Sequence, residues 1–360
     1  MSKKSKLTLI VDGNWLLMSR FAVICDKYPT EEQMCKELQL LMLKSVNIVL
    51  KMFPDIDNII FVSDGGSWRA NLEIPDYIYD DLEEDQPAKY KGQRHLDENY
   101  NWDMIFQYYE DLISLLSSNK ITTCRVQNIE GDDWCWYWSR KLNDEGSNVM
   151  IWSMDKDLTQ LVTTNDHNGI FTICWNSKTG LTCEKKETND DPLQFFFNDL
   201  TKEYNTRIFD HIVNKCKNIN QINPKDVIID KIVRGDAGDN VFPILYKQSN
   251  KPETGKKFRV SQKDLDLNIN LNDDNEIKNY IHNLVNSKKY VGKVKKSEEN
   301  IYKHFKYNYK LVGLTEENYP QEVLENMNSY TGYYINNDIS QPLSYVTAST
   351  NNLTDILNSI

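Results

Sequence analysis

Four times in the first 160 residues, a short apolar run ends on a carboxylate or a few residues before one. Residues 7–11 lead to Asp12, 59–62 to Asp64, 121–126 to Glu130, Asp132 and Asp133, and 149–152 to Asp155 and Asp157. Runs this short and this rich in β-branched residues read as buried strands, and the stretches between them are long enough for helical crossovers. That alternation predicts an α/β fold with a mostly parallel central sheet flanked by helices. Such sheets hold their sites beyond the carboxyl ends of the strands, where all four acidic groups fall. Close carboxylates repel, and each resists ionising beside the other unless a cation shares the site. The chain reads as a scaffold for a carboxylate-lined metal site. Unrelated caps and surface acids would need four separate coincidences.

The pattern predicts helices over 15–24, 30–52, 102–117, 130–142 and 158–162, and a further strand over 170–173. Thr30 caps the second helix, and Glu31 and Glu32 complement its dipole. Its buried face is read as Leu38, Leu41, Met42, Ser45, Ile48 and Val49. Residues 66–100 lack periodicity and read as an excursion from the core, acidic over 73–85 and basic over 88–95. Beyond about Asn189 the pattern changes to helices and polar loops, with helices over 224–233, 276–286 and 298–310. The last stretch, rich in Asn, Ser and Thr, shows no assignable pattern. Two domains are expected: an α/β domain over 1–188 that carries the excursion, and a mainly helical C-terminal domain over 189–360.

A formal net charge of −11 argues against a protein that coats nucleic acid by bulk charge. The distribution is uneven, however. Residues 247–310 carry 15 Lys+Arg against 8 Asp+Glu, so a region of +7 stands against −18 for the rest. This fits a divalent-metal enzyme that grips a polyanion with a separate basic region, or else a lysine-rich solvated helical face. Seven irregularly spaced cysteines with no CxxC pair provide neither a disulfide framework nor a zinc module, and suit a reducing cytoplasm. Five histidines without HxH or HExxH spacing argue further against zinc. The longest apolar stretch, 38–53, is broken by Lys44 and Lys51, so no membrane span is expected.

Hard divalent cations prefer carboxylate and water oxygens. Two of them about 4 Å apart can clamp the attacking and leaving oxygens of a phosphodiester. Asp155 and Asp157, two residues apart, can be aimed at one ion from a turn. Glu130 and Asp133 stand at i,i+3 with Asp132 between them at a helix start. Asp236 and Asp239 repeat that spacing in Arg234-Gly-Asp-Ala-Gly-Asp-Asn240, where two glycines allow close backbone approach.

The order and wording of these segments resemble the 5′-nuclease family of flap endonucleases and 5′→3′ exonucleases, most of all its T-even-type phage ribonuclease H branch. The matching pieces are Val11-Asp-Gly-Asn14, Val62-Ser-Asp64, Tyr90-Lys-Gly-Gln-Arg94, Ile129-Glu-Gly-Asp-Asp133, Ser153-Met-Asp-Lys-Asp-Leu-Thr-Gln160 and the 234–240 motif. They span roughly residues 7–245 and are specific because six occur in order. The resemblance implies a PIN-like core and a two-ion Mg²⁺ site, with Mn²⁺ able to substitute. It puts the ligands on Asp12, Asp64, Glu130, Asp132, Asp133, Asp155, Asp157 and Asp239. Asp64, Asp132 and Asp155 would serve the first ion; Asp239, with Asp12 acting through water, would serve the second. Asp157 would lie between the ions and Asp236 would act through water. Lys91 and Arg94 would neutralise charge on the scissile phosphate, and Arg69 would contact a phosphate. Tyr90 is open to two readings, a base-stacking platform or a packing residue.

Two departures from the family pattern stand out. The excursion is acidic at Asp76, Asp80, Asp81, Glu83, Glu84 and Asp85, an odd charge beside a threaded strand. In place of the family's glycine-rich potassium-binding hairpin comes a lysine-rich loop, in which Lys251, Lys256, Lys257 and Arg259 would grip a duplex phosphate. The implied activity is metal-dependent hydrolysis near the 5′ end of RNA or DNA in duplexes, removing RNA primers or flaps in phage replication within the host cytoplasm. A free-standing monomer is expected, with a single-stranded-DNA-binding protein or sliding clamp as partner. The alternatives are a compact PIN-type ribonuclease and a junction-binding factor with a decayed site. The basic 90–94 segment and the large C-terminal region disfavour the first, and the full acidic set disfavours the second.

Overall fold

The computed structural model describes residues 7–79, 89–119, 121–185, 200–245, 260–292, 294 and 296–336. They fall into two compact units. The first lies within Met1–Ser67, Leu96–Ile222 and Pro320–Ile360, and the second within Trp68–His95 and Asn223–Tyr319. Chain order suggested one boundary near 188; compactness divides the residues discontinuously.

The first unit is built on a sheet. Its strands are β1 (Leu7–Asp12), β2 (Ile56–Val62), β3 (Thr122–Cys124), β4 (Asn148–Trp152), β5 (Thr163–Thr164), β6 (Phe171–Asn176), β7 (Gly180–Glu184) and β8 (Ile219–Ile222). The order is β3-β2-β1-β4-β6-β7-β8, with β5 paired to β6. From β3 to β6 every neighbour is parallel, with Val11 beside Phe61 on one side and Trp152 on the other. All residues of β1, β4 and β6 are buried, as expected of parallel strands covered on both faces.

Helices α1 (Gly13–Ile24), α2 (Glu31–Met52), α4 (Trp102–Ser118) and α6 (Leu200–Lys215) share one core with Leu7, Leu9, Val11, Met150 and Trp152; α3 (Asp76–Tyr79) belongs to the other unit. On the opposite face α5 (Gly131–Asp144) packs over β1, β2, β4 and β6. The chain runs outward from β1 through β2 to β3 and then returns to the other side of β1 as β4. The order in which strands are added therefore reverses between the parallel strands β1 and β4. In open α/β sheets the ligand crevice forms at such a switch point.

The mostly parallel sheet and its flanking helices match the sequence expectation, with local corrections. Thr30 caps α2 through Gln33, as read, but Ile48 is 65% exposed. Seven residues after the half-buried Leu41, it lies at the edge of the apolar stripe rather than within it. Residues 157–161 form a 3₁₀ turn, not an α-helix, because the chain turns extended again at Val162. β8 escaped notice because Ile219-Asn-Gln-Ile222 lines an exposed edge and has no apolar run. Also unforeseen is α10 (Gln321–Asn336), which covers the aromatic side of α5: the Trp134 and Tyr330 ring centroids lie 5.4 Å apart, and the Tyr330 hydroxyl donates to the Thr123 carbonyl at 2.7 Å.

The second unit is helical. It contains α3, α7 (Pro224–Arg234), α8 (Asp274–Val285) and α9 (Glu298–Val312) around a core that includes Ile229, Ile232, Ile277, Ile301 and Phe305. The amide of buried Asn308 donates to the carbonyls of Ile232 and Phe242 at 2.8 and 2.7 Å, fixing the end of α7 against the loop that follows. Among the described residues, no helix is long and apolar enough to cross a membrane.

Candidate metal centre

In the first unit, four of the expected carboxylates converge at the switch point. Asp12 ends β1 and caps α1, accepting from the Trp15 N–H at 3.0 Å. Only 7% exposed, its other oxygen accepts from the Ser153 hydroxyl at 2.6 Å. Burial pushes the Asp12 carboxyl up to about 7; the two hydrogen bonds pull against that, and the nearby Asp64 and Asp155 charges add to it. Ser153 also accepts from the Asp155 N–H at 2.9 Å, so one hydroxyl ties the ends of β1 and β4 together.

Asp64 follows β2 and is held from three directions. Its carboxylate accepts from the Gly131 N–H at 2.6 Å and the Asn14 amide at 2.9 Å, while its own N–H donates to the Asn14 oxygen at 3.0 Å. Asp132 stands in the first turn of α5. Its position relative to the others is marked by Cys135, whose thiol is pushed well above its ordinary range by burial first and then by Asp12, Asp132 and Asp155. Three carboxylates thus act on one buried group. Asp155 is exposed, and its oxygen accepts from the Asp157 N–H at 2.8 Å.

Glu130 and Asp133, also expected as ligands, build the start of α5. Glu130 caps α5, and the fully buried Asp133 carboxylate accepts from the Glu130 N–H at 3.0 Å to complete a capping box. Glu130 also accepts from the Ser67 hydroxyl at 2.8 Å. Asp64 and Asp155 both act on Asp12, and Asp132 acts with Asp12 and Asp155 on Cys135; acids so grouped, without an imidazole, are the donors a hard divalent cation prefers.

The second unit gathers the 234–240 motif and the basic 89–94 segment. Gly235 has φ +69°, and a Cβ there would sit 2.4 Å from the Val241 carbonyl, so only glycine suits the turn. Asp236 and Val241 exchange backbone hydrogen bonds at 2.9 and 2.8 Å, closing the loop. The Asp236 side chain pairs with Lys231 and accepts from the Gly238 N–H at 2.8 Å. Burial works against its charge, but Lys231 prevails and holds the carboxyl below its usual range.

Asp239 is nearly buried and pairs with Arg94 at 2.5 Å. Around that pair the Lys91 N–H donates to the Asp239 carbonyl at 2.9 Å, Gln93 donates to the carbonyls of Ala237 and Gly238 at 2.8 and 3.1 Å, and Asn240 donates to the Lys89 carbonyl at 2.8 Å. Lys91 and Asn240 both adopt positive φ, +54° and +59°, conformations this clasp must maintain.

Two expected nucleic-acid contacts sit elsewhere than surface readings would have them. Tyr90 belongs to the core of its unit, with the Lys91 ammonium 5.0 Å above its ring, which favours the packing reading. Arg69 is 2% exposed and lies 4.5 Å over the Trp68 ring and 5.7 Å over that of Tyr319, so it stands within the aromatic packing of its unit rather than on an open surface. Lys251, Lys256, Lys257 and Arg259, the expected potassium-hairpin replacement, and most of the acidic run lie outside the described residues. Sequence reading missed Ser153, Asn14 and Gln93 as supporting groups, although each stands inside a quoted motif.

Residues 7–191 match the family model described as 5′-3′ exonuclease, N-terminal resolvase-like domain. A curated 5′-3′ exonuclease of Buchnera aphidicola subsp. Acyrthosiphon pisum is 26% identical over 164 residues, covering 45% of this chain and 51% of the relative, so the chain spans about half the length of the curated relative it matches. Among solved structures, a zinc-bound T5 5′-exonuclease is similar with TM-score 0.49 and 17% identity, covering 86% of this chain and 90% of that one. A bacteriophage T5 flap endonuclease in a pseudo-enzyme–product complex with DNA and metal ions has TM-score 0.46 and 16% identity, over 98% of this chain and 100% of the other. With the family model matched across just over half of its residues, the chain belongs to the 5′-3′ exonuclease branch of the 5′-nuclease family.

Proposed function

We propose that this protein is a metal-dependent 5′→3′ exonuclease and flap endonuclease with ribonuclease H-type activity, hydrolysing phosphodiesters near the 5′ end of RNA or DNA in duplexes. The observation that carries the reading is the convergence of Asp12, Asp64, Asp132 and Asp155 on the switch point of the sheet, in a chain of this family. When bound, two Mg²⁺ ions, with Mn²⁺ as substitute, supply Lewis acidity to an in-line displacement at phosphorus.

The chain's own residues prepare that chemistry. Asn14 and the Gly131 N–H aim Asp64, and Ser153 fixes Asp12 against Asp155. Asp157, Asp236 and Asp239 are proposed as further ligands, direct or through water. Lys91 and Arg94 are proposed to neutralise charge on the phosphoryl oxygens; Arg94 would exchange its Asp239 partner for a phosphate. The biological reading is removal of RNA primers or flaps during phage DNA replication in the host cytoplasm, by a monomer working with a single-stranded-DNA-binding protein or sliding clamp.

A 5′-labelled flap duplex with Mg²⁺ tests the reading. Wild type should release labelled nucleotides or short oligonucleotides ending in 5′-phosphate. Asp155→Asn should bind the duplex yet cut it at least about 100-fold more slowly, the usual scale for losing transition-state charge stabilisation. Binding by both with cutting by neither would make the chain a junction-binding factor instead.

A further inference from the structure

We infer that Tyr109, on α4 and outside every acidic motif, is a positioning residue that sets the orientation of the Asp64 carboxylate through Asn14. The inference deepens the metal-site reading above and rests on it.

Tyr109 lies on the buried stripe of α4 with Ile105, Leu112, Ile113 and Leu116, where a phenylalanine would serve packing equally well. What tyrosine adds is a hydroxyl, and that hydroxyl is 3% exposed with its residue and fully engaged. It donates to the Asn14 side-chain oxygen at 3.2 Å and lies 2.6 Å from the Ser63 hydroxyl. The same Asn14 oxygen accepts from the Asp64 N–H at 3.0 Å. An amide side chain has an acceptor end and a donor end of nearly equal size, so only its partners decide which way it faces. Two donors converging on the oxygen leave the Asn14 NH₂ one place to go, the Asp64 carboxylate at 2.9 Å. Remove the phenol hydroxyl and only one donor enforces that choice.

Two further observations support a dedicated arrangement. A Cβ on Gly13 would lie 2.4 Å from the Tyr109 hydroxyl oxygen and 2.4 Å from the Phe61 ring, so the glycine of Asp12-Gly13-Asn14 is the space through which the phenol reaches the site. The next residue of α4, Glu110, pairs with Arg125, whose guanidinium donates to the Asp64 carbonyl at 2.8 Å. Adjacent residues of one helix thus brace both the side chain and the backbone of Asp64.

The test is Mn²⁺ binding to the nucleic-acid-free full chain, followed by calorimetry, with Tyr109→Phe, Asn14→Ala and Asp64→Asn compared with wild type. Partners that orient ligands typically contribute 10–100-fold to metal affinity or activity. Tyr109→Phe should weaken Mn²⁺ about 10-fold and lower kcat on the flap duplex with KM unchanged, at a melting temperature close to wild type. Should Tyr109→Phe fail to fold, Asn14→Ala breaks the same relay from the other end and must weaken Mn²⁺ at least as much. If Asp64→Asn abolishes Mn²⁺ binding while Tyr109→Phe and Asn14→Ala bind like wild type, the positioning role is wrong. If Asp64→Asn itself binds Mn²⁺ like wild type, the metal-site reading is what fails.

Discussion

Asp12 is where the charge balance of the site is set. Between its ordinary value of 3.8 and its raised value of about 7, the folded chain holds a proton that the unfolded chain has released. Proton binding favours the folded form below that window, and the advantage is lost as pH climbs through it. Metal-free stability should therefore fall from pH 4 to pH 8, by on the order of 4 kcal/mol if Asp12 acts alone. Mg²⁺ replaces the proton as neutraliser, so melting curves with Mg²⁺ should lose most of that slope. Identical slopes with and without Mg²⁺ would remove Asp12 from the metal's neighbourhood. Asp133 makes a sharp contrast. Asp133→Ala should cost about 1–2 kcal/mol through the lost cap of α5, visible in melting, whereas Asp155→Asn should leave melting intact and slow cleavage at least about 100-fold. The acids were legible in the sequence because clustered carboxylates after apolar runs are uncommon by chance. Ser153, Asn14 and Tyr109 were not, because serine, asparagine and tyrosine have commoner uses in turns, caps and cores, and only their hydrogen bonds reveal this one.

At the scale of elements, the clasp between residues 89–94 and 237–240 makes its own predictions. Gln93→Leu removes two donors to the 237–238 carbonyls. Amide exchange at Lys91, whose N–H is held by Asp239, should then accelerate about 5-fold, the equivalent of one net hydrogen bond of about 1 kcal/mol. An unchanged rate would mean that Gln93 does not hold the clasp shut. Gly235→Ala should destabilise the second unit by roughly 2 kcal/mol or more, since it combines a positive φ with a steric clash against the Val241 carbonyl; chemical denaturation measures it. Sequence reading found β1 to β4, β6, α1, α2, α4, α5 and α7 to α9, through short apolar runs for the strands and apolar spacing or caps for most of the helices. It missed β7 and α6, as well as β8, which is polar on an exposed edge, and α10, whose anchor Tyr330 stands among polar residues. It mistook the 157–161 turn for an α-helix because five residues cannot display a period.

At the scale of the molecule, charge is segregated along the chain, with +7 over 247–310 against −18 elsewhere. If the basic stretch holds duplex, alanine at Lys251, Lys256, Lys257 and Arg259 together should lower the slope of log affinity against log salt by about 3 to 4, close to 0.9 for each phosphate left without its cation. A slope equal to wild type would take all four out of the interface. The fold class was legible at this scale because alternation of strand and helix is a property of chain order. The discontinuous units were not, because compactness depends on which distant segments pack together, and no local pattern announces that residues 68–95 group with 223–319. That discontinuity also gives the protein a schedule. A ribosome releases β1 to β8 well before it releases α10, so the tryptophan and tyrosine side of α5 must wait, uncovered, for a helix made more than 170 residues later. The first unit to begin folding is therefore among the last to be finished.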